Sequence, residues 1–62
     1  MANPTHQQML ALVQKRVPHF TMDRKGAIAT TAIAVHNEPR HKKKSLMHAV
    51  KVAIARSYKH QR

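Results

Sequence analysis

The chain has no cysteine and no tryptophan, a single glycine, two acidic residues, and only Phe20 and Tyr58 as aromatics. Each shortage excludes something. Without cysteine there is no disulfide framework of the kind that holds small secreted domains together, and no thiolate metal site. With Gly26 as the only glycine, a glycine-rich phosphate loop cannot be built. Asp23 and Glu38 are the whole supply of carboxylates, whereas general acid–base chemistry needs placed groups of matched acidity. Ser45 and Ser57 have no nucleophile-elbow context. The chain is therefore expected not to be an enzyme and to carry no cofactor.

Long hydrophobic runs are missing as well. The longest apolar-looking stretch, Ala27 to Val35, is interrupted by two threonines and falls far short of the roughly 20 residues that span a bilayer. Residues 1–14 hold no Lys or Arg and no long apolar core, so no secretory signal is expected and a cytoplasmic location is the default. The six histidines, at 6, 19, 36, 41, 48 and 60, include no pair at the HExxH spacing. They read as members of a basic surface, partly protonated at mildly acid pH, and no metal site is expected.

What the chain has in excess is positive charge. Twelve Lys and Arg face two acids, for a formal net charge of +10 in 62 residues. Eight of the twelve fall in residues 40–62, where there is no acid; residues 1–39 hold four, offset by Asp23 and Glu38. Charge this lopsided destabilises a compact chain by self-repulsion, and it suits docking on an anionic partner.

The length fits one small domain over residues 1–62, and such a domain buries only about 60% of the surface its unfolded chain exposes. Nine of its apolar residues are alanines. Large side chains, each contributing roughly 1.5–3 kcal/mol when buried, are few. Support from a bound partner or from a homo-oligomer is expected.

Apolar spacing predicts an all-α, three-helix fold. Asn3, Pro4 and Thr5 start a first helix over 5–17, with Met9, Leu10, Val13 and Val17 along one side, Leu12 at its edge and Arg16 snorkelling out of the apolar arc. Pro18 ends it. Thr21 caps a second, with Asp23 in the first turn, where the helix dipole favours an acid. Residues 27–35 are apolar almost all round, which predicts a buried central helix. The adjacent threonines with Ile and Val keep a strand over 27–35 as the alternative. Asn37, Glu38 and Pro39 break the pattern, and 40–44 reads as an exposed basic loop. Ser45 caps a third helix, with Leu46, Met47, Val50, Ala53, Ile54 and Tyr58 on its apolar face. His48, Lys51, Arg56, Lys59 and His60 lie opposite, and Val52 is a stray apolar residue among them.

The candidate site is the run Arg40, Lys42, Lys43 and Lys44 beside a helix N-terminus, whose N–H groups add donors for an anion. Lys51, Arg56, Lys59 and Arg62 continue the charge along the third helix. Two aromatics do not make a stacking platform for single strands, and the third helix offers few groups to read base edges. The expectation is a non-catalytic protein that contacts the phosphate backbone of a duplex, DNA ahead of structured RNA, with weak sequence selectivity. The rival is a docking module, an inhibitor or assembly factor, whose basic face covers an acidic or nucleic-acid-binding surface of a partner protein. A membrane surface is the least favoured partner, because the third helix has no Trp or Phe on its apolar face.

Overall fold

A computed structural model of the chain describes residues 5–59. The Thr5 side chain accepts a hydrogen bond from the Gln8 backbone N–H at 3.1 Å, and the Gln8 side chain accepts from the Thr5 N–H at 2.9 Å. Two otherwise orphaned donors are thus satisfied by one reciprocal box, and helix α1 runs from it over His6–Arg16. Val17, in a non-helical conformation, closes it through its N–H to the Val13 carbonyl. Thr21 repeats the capping role for α2, Met22–His36, by accepting from the Arg24 N–H at 3.3 Å. Ser45 accepts from the His48 N–H at 3.1 Å at the start of α3, Leu46–Lys59.

The all-α reading holds, and residues 27–35 are helix, not strand. The alanines of this stretch favour helix, and the threonines are accommodated within it. Thr30 and Thr31 donate their hydroxyls to the carbonyls of Gly26 and Ala27, at 3.1 and 3.0 Å. Their hydroxyls are thereby bonded within the helix, one of the rotamers open to a helical threonine. The expectation that this helix is enclosed on every side is corrected. Ile28, Ala29, Ala32 and Val35 are buried, but Ala27, Thr30 and Ala34 form an exposed stripe along the opposite side.

α2 packs against both other helices, and the contact between α1 and α3 is the slightest of the three. The core is Met9, Val13 and Val17 from α1 and its cap, Ile28, Ala29, Ala32 and Val35 from α2, and Ala49, Val50 and Ala53 from α3. Four of these ten are alanines, so the helices approach closely while burying little area per residue. A partly buried shell of Leu10, Leu12, Phe20, Ile33, Leu46, Met47, Val52 and Ile54 surrounds them.

The expected apolar face of α3 holds for Leu46, Met47, Val50, Ala53 and Ile54, which are in the core or packed against it, and is corrected at two residues. Its buried centre runs through Ala49, Val50 and Ala53. Val52, which looked stray, packs on the core, and Tyr58, expected inside, is 54% exposed. Ala49, left unassigned by the apolar spacing, is fully buried. No helix among the described residues is long and apolar enough to cross a membrane.

Candidate nucleic-acid interface

The connection from α2 to α3 is a chain of tight turns. The Asn37 N–H bonds to the Ile33 and Ala34 carbonyls and that of Glu38 to Val35. The His41 N–H then bonds to Glu38, and that of Lys44 to His41, at 2.9 and 3.0 Å. Two side chains of this segment fold inward. Glu38 receives both terminal nitrogens of Arg56, Nη1 on Oε2 at 2.9 Å and Nη2 on Oε1 at 3.2 Å. His41 is turned in so that only 17% of its side chain is exposed; its Nε2 lies 3.7 Å from Glu38 Oε1. Its Nδ1 shares a 2.9 Å hydrogen bond with Nε2 of His48. Arg40, Lys42, Lys43 and Lys44 remain exposed.

The electrostatics follow from this geometry. The Arg56 hydrogen bonds hold the Glu38 carboxyl below its ordinary range; partial burial opposes this, and the nearby charges of Arg56, His41 and Arg40 reinforce it. The same pair raises the Arg56 guanidinium further above its ordinary value. A fork-to-fork pair also has more geometric definition than a point contact. The one acid near the loop is therefore neutralised inside it, and the field outside is set by the lysines and Arg40.

The eight residues expected to carry the interface separate into groups. Arg40, Lys42, Lys43 and Lys44 project from the turns, and Lys51 is exposed on the second turn of α3. Arg56 is engaged by Glu38 and stands on the structural side of the loop. Lys59 is on the last turn of α3. Arg62, like His60, lies outside the described residues. Of the four cations in residues 1–39, Lys25 is buried and Arg24 half-buried, while Lys15 and Arg16 are exposed.

Sequence reasoning missed a second feature. Between the end of α1 and the second half of α3 lies a cleft of about 520 Å³ lined by Arg16, Val17, Lys51, Ile54, Ala55 and Tyr58. Tyr58 stands edge-on to Phe20 at 6.3 Å, Phe20 edge-on to His19 at 5.0 Å, and the Arg24 guanidinium lies 4.3 Å from the Phe20 ring centre. The signal for it was in the chain. Lys51, Ala55 and Tyr58 are at i, i+4 and i+7, one stripe of a helix, although apolar spacing sets Tyr58 with the core and Lys51 opposite.

Among the described residues no group of three or more His, Cys, Asp or Glu is arranged to hold a metal ion. Comparison of the chain with models of protein families, with curated proteins and with solved structures gives no match.

Proposed function

We propose that this chain is a non-catalytic nucleic-acid-binding protein that docks on the phosphate backbone of a duplex through Arg40, Lys42, Lys43, Lys44 and Lys51, with Lys59 and Arg62 extending the contact. The observation that carries this reading is the division of the 38–44 segment. Its acid and its histidine face inward, onto Arg56 and His48, while its four full cations face solvent. A segment that served only solubility would gain nothing from turns that fix where its cations stand. A backbone-binding corner does gain, because fewer arrangements are lost on docking. Arg56 acts in this reading by holding the corner. The weak supply of base-reading groups makes the contact positional, so affinity is expected to vary little with sequence.

Phosphate and carboxylate attract the same cations, so the test sets them against each other. Binding of a labelled DNA duplex is followed by fluorescence anisotropy with an excess of polyglutamate as competitor. Retention of the duplex supports the proposal. Displacement by polyglutamate, together with a protein partner that stays bound after nuclease treatment, would transfer the basic face to the docking-module reading.

A further inference from the structure

The cleft between α1 and α3 shares Lys51 with the backbone reading, which leaves its tyrosine and Arg16 unused. It is lined by apolar Val17, Ile54 and Ala55, by Tyr58, a residue 54% exposed, and by two exposed cations, Arg16 and Lys51. Neither cation forms an ion pair among the described residues. An exposed tyrosine lining the same cleft as two cations is complementary in chemistry to a flat ring flanked by anions. Lys51 and Tyr58 are seven residues apart on α3, two turns along one line, about 10 Å from each other.

We propose that this cleft holds one unpaired nucleobase, stacked on Tyr58, with the phosphates on either side of it taken by Arg16 and Lys51, so that the preferred ligand is a duplex carrying a single-stranded extension. The inference rests on the nucleic-acid reading above and deepens it. A single exposed ring suits one base and not a tracked strand, because strand-tracking proteins stack successive bases on several aromatics. The bases have a π-face whatever their identity, so the site adds affinity for an unpaired end without adding sequence selectivity.

The test compares a blunt DNA duplex with the same duplex carrying a short oligo-dT overhang, on the full chain and on variants of Tyr58, Arg16 and Lys51. The overhang is expected to tighten binding at least about fivefold, the lower end of what one stacked base contributes. Tyr58→Phe keeps that advantage. Tyr58→Ser abolishes it and leaves blunt-duplex affinity and helicity unchanged, since the ring lies outside the core. Arg16→Gln and Lys51→Gln each reduce it. Equal affinity of the wild type for blunt and overhanging duplexes overturns the inference and leaves the backbone reading standing. An overhang advantage that survives in Tyr58→Ser overturns it too. Failure to bind either duplex removes both proposals. An acidic peptide that binds the wild type but not Tyr58→Ser, with no gain from the overhang, reassigns the cleft to a protein partner.

Discussion

Arg56 reaches back across eighteen residues of chain to close two hydrogen bonds on the carboxylate of Glu38. The contact ties the far half of α3 to the first turn after α2, and the basic loop is the segment enclosed between them. If Arg56 holds the loop and does not touch phosphate, Arg56→Lys should behave as a loss. Lysine keeps the charge but cannot offer the planar fork. Hydrogen exchange at the His41 and Lys44 amides should accelerate. Arg56→Gln should leave the salt dependence of duplex binding unchanged, whereas Lys43→Gln should lower its slope by about 0.9. A drop of that size for Arg56→Gln would place its guanidinium on the ligand.

The same pair sets an acid limb of stability. The Glu38 carboxyl is held below its ordinary value of 4.5, so its contribution is fully present above that value. It is lost as the pH falls through the lower, folded-state value, where the carboxylate takes up its proton. Thermal melts from neutral pH downward should be level, then decline below the ordinary carboxylate range. In Glu38→Gln the decline should be shallower. Identical acid limbs for the two proteins would mean the pair adds nothing to folding.

Gly26 lies in the interior of α2, and a Cβ built on it meets nothing within 4 Å. Gly26→Ala should therefore stabilise the protein by about 0.5–1 kcal/mol, mainly by restricting the unfolded chain. For a domain of this size that raises the melting temperature by roughly 4–8 °C per kcal/mol. A lower melting temperature would show that α2 needs the glycine for a reason beyond its local geometry.

The core tolerates little loss. Met9 and Val50 are fully enclosed. Met9→Ala should cost about 2–5 kcal/mol, enough to unfold most of a small domain whose stability sits near the low end of the typical range of about 5–15 kcal/mol. Val50→Ala removes less and should leave a partly folded population that duplex DNA restores by mass action. Circular dichroism with and without DNA reads both. Full helicity of Met9→Ala without ligand would mean the core is stronger than its four alanines suggest.

Much of the fold was legible in the chain, because its signals were local. Thr5, Thr21 and Ser45 marked three helix starts, and Pro18 and the Asn37–Pro39 break marked two ends. The apolar spacing of Met9, Val13 and Val17 named the α1 contribution to the core correctly. What failed depended on packing. Apolar spacing sets Tyr58 with the core, whereas near the end of α3 it is 54% exposed and meets Phe20 edge-on. Val52, set on the polar side by spacing, packs on the core. The exposed cations of 40–44 were readable from charge alone. The pairing of Glu38 with Arg56 and of His41 with His48 was not, since it joins residues that only the folded connection brings together.

The central claim is that the exposed cations of the loop meet phosphates. It is tested most directly by the salt dependence of duplex affinity, wild type against the variant in which Lys42, Lys43 and Lys44 are all Gln. The three side chains are exposed, so the variant should keep its helicity and even gain slightly from reduced self-repulsion. The wild type should show log affinity falling linearly with log salt, and the variant's slope should be smaller by up to about 2.7, three phosphates at about 0.9 each. A flat wild-type response, or an unchanged slope in a fully folded variant, would contradict the account.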